Sequence, residues 1–285
     1  MSPVTDAQNE YGYYKPGQAI AWLIRTAQNA PHNWLGRIVA LAIRKLVTTF
    51  NNQPVDTEIE GIRLRCYLHD NVSERKYLFL PWLYDYAERI FLAEHLPADG
   101  TFIDIGANAG IYTLHACRAL GSGGTVIALE PHPDVYHRLL FNIECNRKSS
   151  NWPHVITLQS AVGDRDGELG LRLDLSNLGA SSLVRDSHVT GTIPVQVTTL
   201  AGVLDAHQVR TVDIIKIDIE GAEDLALLPF LTSADTRLLP RFLIIENSEH
   251  FWRHDLVGYL LSHGYRQVTR TRMNSIYRLT GEQSV

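Results

Sequence analysis

The sequence predicts an α/β protein, a mostly parallel sheet with helices on both faces and an antiparallel hairpin at its end. Three observations predict it. Short runs rich in Ile, Val, Leu and Phe recur through the second half of the chain, apolar on consecutive positions as strands buried on both faces are. Stretches with apolar residues three and four apart alternate with these runs, as crossover helices do. The turn after the first run is built on glycine, which a sharp strand-to-helix turn needs.

Taken in order, the strands fall at 101–105, 125–130, 155–160, 212–217 and 242–246, and the helices at 112–120, 133–146, 222–231 and 254–263. Residues 167–199 interrupt this order with ELGLRLDL and IPVQVTTL, two segments of period two that read as strands added over one edge. The hairpin at the end pairs 265–268 with 275–279. Upstream, VDTEIEGIRLRCYL alternates with Ile59, Ile62, Leu64 and Cys66 inward and Gly61 at its turn, a short hairpin. A helix is predicted over 82–96, ended by Pro97-Ala-Asp-Gly100. The organisation is therefore a helical extension at 1–54, a lead-in at 55–98 and the sheet domain at 99–285.

Composition sets the limits. Across 285 residues, 45% are hydrophobic and 20% charged, a soluble globular profile that excludes disorder and collagen. A net charge of -5 makes nucleic acid an unfavourable partner. Cys66, Cys117 and Cys145 are too few for a disulfide framework and too far apart for a Cys-x-x-Cys site. They read as reduced thiols. With no secretion pattern at MSPVTDAQNE and no long apolar run, a cytoplasmic location is expected.

The extension reverses the overall sign. Between Tyr11 and Val55 the charged residues are Lys15, Arg25, Arg37, Arg44 and Lys45, with no acid among them. Its apolar residues recur at helical spacing on either side of Pro31, giving two basic amphipathic helices. Such helices lie on a membrane interface, which Trp22 and Trp34 would suit, or pack on the main domain or a second subunit.

Candidate chemistry starts at Phe102-Ile-Asp-Ile-Gly-Ala-Asn-Ala-Gly110. Here a strand runs through a glycine turn into a helix, so the helix N-terminus faces the crevice beyond the strand ends. The dinucleotide pattern Gly-x-Gly-x-x-Gly is absent. Asp104 in that turn suits a cationic amine better than a pyrophosphate. S-adenosylmethionine carries such an amine and a positive sulfonium. Glu130, at the end of the next strand in ALEP, is where an acceptor takes both ribose hydroxyls.

Together, DIGANAGIYT, ALEP, the AVGD of 161–164 and IKIDIEGAE at 215–223 resemble the FkbM-type family of S-adenosylmethionine-dependent methyltransferases, over roughly residues 70–280. The resemblance implies a Rossmann-like class I methyltransferase sheet and methylation of hydroxyl oxygens on sugars, glycans and related secondary metabolites. It implies that Asp104, Gly106, Asn108 and Gly110 surround the methionine part, that Glu130 holds the ribose, and that Ser160, Ala161 and Val162 flank adenine, with Asp164 nearby.

The acceptor side is read from carboxylates at the other strand ends. Asp218 and Glu220 fall at the mouth of the crevice, where neighbouring carboxylates raise each other's pKa and one can act as a base. Alternatively, with Glu246, they form an oxygen-ligand set for a hard cation such as Mg2+. Glu223 reads as electrostatic support for a helix start, and Lys216 as a buried ion-pair partner. His250 is a second candidate base, with His132 and His188 weaker ones. Arg185, Arg266, Arg270 and Arg272 could rim the site for an acidic substrate, or simply protect a sheet edge. Trp82, Tyr84 and Tyr86 either stack on a sugar or anchor a helix. The expected function is S-adenosylmethionine-dependent O-methylation of a small molecule or glycan. The alternatives are a nicotinamide-dependent oxidoreductase on the same broad fold and a non-catalytic cofactor-binding scaffold whose N-terminal helices recruit a partner.

Overall fold

The computed structural model describes residues 9–147, 151–174, 177–180, 182–184 and 191–280. Arg185 and His188 lie outside them. Its main sheet has the predicted α/β form. Strands β3 (Thr101–Ile105), β4 (Thr125–Leu129), β5 (His154–Leu158), β10 (Ile214–Ile217) and β11 (Phe242–Glu246) are parallel. The antiparallel hairpin of β12 (Tyr265–Arg270) and β13 (Asn274–Leu279) closes one edge. The order is β12-β13-β11-β10-β3-β4-β5. The chain builds outward from β3 through β4 to β5, then crosses back to place β10 on the other side of β3. That reversal opens a crevice beyond the carboxyl ends of β3 and β10, where sheets of this kind bind ligands.

Strand alternation sorts the two faces. Ile103, Ile105, Ile215, Ile217, Leu243 and Ile245 pack under α7 (Leu200–Ala206), α8 (Glu223–Ser233) and α9 (Leu256–Ser262). Phe102, Val126, Ile214, Phe242 and Ile244 pack on the opposite face with Leu92 of α4 (Tyr86–His95) and Tyr112 and Ala116 of α5 (Ile111–Ala119). Asp104 and Lys216 belong to this second face as direct neighbours across β3 and β10. Across the interruption, β7 (Gly167–Arg172), β8 (Ser182–Val184) and β9 (Thr192–Thr198) join β6 (Ala161–Val162), which precedes it, in a separate four-stranded sheet.

Before the sheet come α1 (Gln18–Gln28), α2 (Trp34–Phe50) and the predicted hairpin, β1 (Val55–Ile59) with β2 (Ile62–Cys66). A helix not read from the sequence, α3 (Val72–Phe79), follows, capped by Asn71 Oδ1 accepting the Glu74 N–H. The helix predicted over 82–96 starts later, at Tyr86, because Asp85 takes a left-handed conformation (φ 43°) that ends the preceding turn. Ile24, Ala27, Ala40 and Val47 share one core with Tyr77 and Leu78 of α3, Leu114 of α5, and Leu139 and Ile143 of α6 (Pro133–Asn146). One side of the extension thus packs on the sheet domain.

A buried ion pair fixes the start of that arrangement. Arg65 Nε lies 2.7 Å from Asp56 Oδ1, both side chains being 1% exposed. The remaining guanidinium N–H groups donate to the Asn9 and Glu10 carbonyls. Asp56 Oδ2 also accepts the backbone N–H groups of Gly12 and Tyr14. Breaking one member of such a pair leaves an uncompensated buried charge. Arg65→Ala is expected to lower stability by about 3–5 kcal/mol, read as a lower urea midpoint at unchanged slope.

Candidate active site

A cavity of about 750 Å³ lies beyond the ends of β3, β4, β10 and β11. Its floor is the glycine turn. Gly106 (φ 75°) lies so close to β10 that an added Cβ would fall 2.0 Å from the Asp218 carbonyl oxygen, so the turn admits only glycine. Asn108, also left-handed (φ 51°), lines the cavity, and its Oδ1 accepts from Asn71 Nδ2 at 2.6 Å. Gly110 (φ 91°) begins α5 but faces away. A side chain there would strike Leu139 of α6, so it serves helix packing and does not line the cavity.

Glu130 follows β4 and lines the cavity with its carboxylate locked in place. Oε2 accepts the Asn108 N–H and Oε1 the His132 N–H, both at 2.9 Å. Burial pushes its pKa up to about 7. Each oxygen keeps acceptor capacity toward the cavity, as vicinal hydroxyls require. Ser160, Ala161 and Val162 form the wall beside it. Asp164 is exposed and outside the cavity.

Asp104 does not reach into the turn as expected. It does not line the cavity and is 0% exposed. The strand continues through Ile105, so Asp104 sits one residue below the rim on the α5 face. There Thr113 Oγ1 donates to its Oδ2 at 2.6 Å, and its Oδ1 lies 3.7 Å from Lys216 Nζ. Lys216, in turn, donates to the Gly106 carbonyl at 3.1 Å and reaches Asp218 Oδ2 at 3.5 Å. Burial opposes its charge, but Asp218, Asp104 and Asp85 outweigh that and raise its pKa. Asp104 therefore acts on the turn through Lys216, as the ion-pair reading of Lys216 implied.

The opposite wall is acidic. Asp218, Glu220 and Glu246 all line it, joined by Asp85, which the sequence reading passed over. Burial raises Asp85 to about 6, helped by Glu88 and Asp218. Glu220 rises to about 7 through partial burial, Asp218 and Glu223. Glu246 is pushed well up by burial and then by Asp218, Glu220 and Glu223. Its Oε2 is buried without a hydrogen-bond partner among the described residues. The Mg2+ expectation for Asp218, Glu220 and Glu246 gains no support here: among the described residues no group of three or more His, Cys, Asp or Glu is placed to hold a metal ion. Glu220 stands exposed on a left-handed residue (φ 56°), whereas Glu246 is half-buried.

Other candidates resolve by position. His250 is exposed in a 3-10 turn outside the cavity, against Phe251, and does not join the carboxylates. His132 caps α6, its Nδ1 accepting the Asp134 N–H. Glu223 is a structural clamp. One oxygen accepts the Ile219 and Gly221 N–H groups and the other accepts from Ser248 and Trp252. Arg272 lines the cavity, while Arg270 pairs with Glu249 at 2.9 Å. Of the aromatic group, Tyr84 lines the cavity and Trp82 stacks on His32. Arg37, Leu41 and Arg44 of α2 and Ser73 and Lys76 of α3 complete the roof, a contribution with no local motif to announce it.

Fold and site together define a parallel α/β ligand-binding domain with its pocket at the topological switch point. Residues 104–267, more than half of the chain, match the methyltransferase FkbM domain, and the chain belongs to that family. It is 26% identical over 167 residues to Methyltransferase 1 of Beauveria bassiana (strain ARSEF 2860), which covers 52% of this chain and 62% of that protein. It is similar to the methyltransferase FkbM of Methylobacillus flagellatus KT, with 17% identity, coverage of 73% of this chain and 55% of the other, and a TM-score of 0.41. A methyltransferase from Geobacter sulfurreducens gives 12% identity, coverage of 93% and 98%, and a TM-score of 0.41. The chain thus spans less than two thirds of the first two relatives. Family membership implies S-adenosylmethionine as cofactor.

The raised carboxyls make stability depend on pH. In the native state Glu130, Glu220 and Glu246 hold protons that the unfolded chain releases near 4.5. Their stabilisation is complete below that value and is lost as pH rises through about 7 for Glu130 and Glu220 and higher for Glu246. Melting temperature without ligand is expected to fall from about pH 4.5 to 9, and Glu246→Gln to flatten the part of that fall above about 7. Parallel wild-type and variant curves in calorimetry would contradict the Glu246 assignment.

Proposed function

We propose that this chain is an S-adenosylmethionine-dependent O-methyltransferase acting on a hydroxyl of a sugar, glycan or related metabolite. The observation that carries this is one cavity with two differently built sides. Glu130, fixed by two backbone N–H groups, stands on one side, and Asp85, Asp218 and Glu246 crowd the other. The donor set fits the cofactor. Glu130 offers acceptors for ribose hydroxyls, Ser160–Val162 offer a wall for adenine, and the crowded acids, including the orphaned Glu246 Oε2, favour a positive charge beside them.

When bound, S-adenosylmethionine supplies an electrophilic methyl carbon on a cationic sulfur. The chain's residues do the rest. The glycine turn and Glu130 orient, and the α2–α3 roof limits water over the floor. Asp218 is our candidate base. Its side chain is 39% exposed in the cavity, and Lys216 restrains one of its oxygens. A substrate hydroxyl between Asp218 and Glu246 would give up its proton to Asp218 as the new bond forms. Tyr84 is available to pack on the acceptor.

Two variants separate binding from chemistry. Glu130→Ala is expected to weaken S-adenosylhomocysteine binding about 10- to 100-fold by calorimetry. Asp218→Asn is expected to keep that affinity within a few-fold and to lower kcat about 10²- to 10⁴-fold, followed as labelled methyl transfer to a panel of hydroxylated acceptors. Unchanged binding in the first variant would remove the ribose role. Unchanged kcat in the second would remove the base. Turnover with any acceptor excludes the pure scaffold.

A further inference from the structure

We propose that the α1–α2 hairpin is a docking surface for an anionic lipid bilayer. The two helices bury only narrow stripes, Ile24 and Ala27 in α1 and Gly36, Ala40 and Val47 in α2. A second apolar face is left outward. Leu35, Ile38, Val39, Ala42 and Leu46 recur three and four apart on it, and all are exposed, Leu35 and Ile38 at 54%. Large aromatic side chains of the two helices are exposed as well: Trp22 is 66% exposed, Trp34 69% and Phe50 78%. An exposed apolar helix face of this length marks an interaction surface.

Charge selects the partner. Lys15, Arg25 and Lys45 are exposed and outside the cavity lining, and none of them forms an ion pair among the described residues. The segment 11–55 holds no acid to answer them. Two copies of this chain meeting through the same face would oppose cation to cation. An anionic surface with an apolar interior answers both features, and tryptophan suits the depth between them. No described helix is long and apolar enough to cross a membrane, so the hairpin lies on the surface. Arg37, Leu41 and Arg44 turn a different side of α2 to the cavity, so the docking face looks away from the site.

The test is flotation of the full chain with vesicles of phosphatidylcholine, with and without phosphatidylglycerol, and does not depend on turnover. The expected result is at least tenfold more protein floating with the anionic vesicles, reduced by high salt. Leu35→Asp with Ile38→Asp should abolish it while S-adenosylhomocysteine affinity, read by calorimetry, stays at the wild-type value. No flotation of the wild type overturns the proposal. So does flotation unaffected by the paired substitution, or a stable dimer in light scattering that this substitution converts to monomer.

Discussion

The buried ammonium of Lys216 is the interaction on which the site depends. It joins β10 to the turn after β3 by donating to the Gly106 carbonyl, with Asp104 behind it and Asp218 in front. A lone buried cation would be neutralised by desolvation, and a lone buried Asp104 likewise. Held together, the two can stay charged beneath a turn that must pass within contact of the Asp218 carbonyl. The chain thereby obtains a rigid floor without placing a bulky side chain in the pocket. Asp104 and Lys216 are aligned by sheet register, so the fold itself brings the two charges together.

The same electrostatics extends into the cavity. Asp85, Asp218, Glu220 and Glu246 repel one another, and three of them hold protons more tightly than ordinary carboxyls. A cationic ligand relieves that repulsion and frees the acids to ionise, so binding and proton affinity are linked. Across the cavity the roof is cationic, with Arg37, Arg44 and Lys76. The pocket is therefore polar in two senses, acidic along the sheet and basic beneath the helices. This polarity favours a positive group below and an anionic one above.

Much of this was legible in the sequence, for physical reasons. The runs at 101–105 and 242–246 coincide with β3 and β11 because a strand buried on both faces is apolar throughout and ends where polar residues begin. Glu130 was legible because strand-end position follows from topology. Asp104 was misplaced because one residue of register decides whether a side chain meets the pocket or the helix behind it. The helix α3 was missed because Glu74, buried against Arg138, interrupts the apolar stripe by which helices are recognised. Asp85 and the α2 roof carry no local signal, since only tertiary packing brings them to the strand ends. His250 was weighed by its chemistry alone, and the 3-10 turn carries it outside.

A crystal structure of the full chain grown with S-adenosylhomocysteine shows whether the cavity over the β3–β10 switch point receives a methyl donor. The expected result is ribose hydroxyls on Glu130, adenine beside Ser160–Val162 and the sulfur toward Asp218 and Glu246. Density for the ligand elsewhere on the chain, or side chains filling the space above Gly106 at saturating ligand, would contradict it.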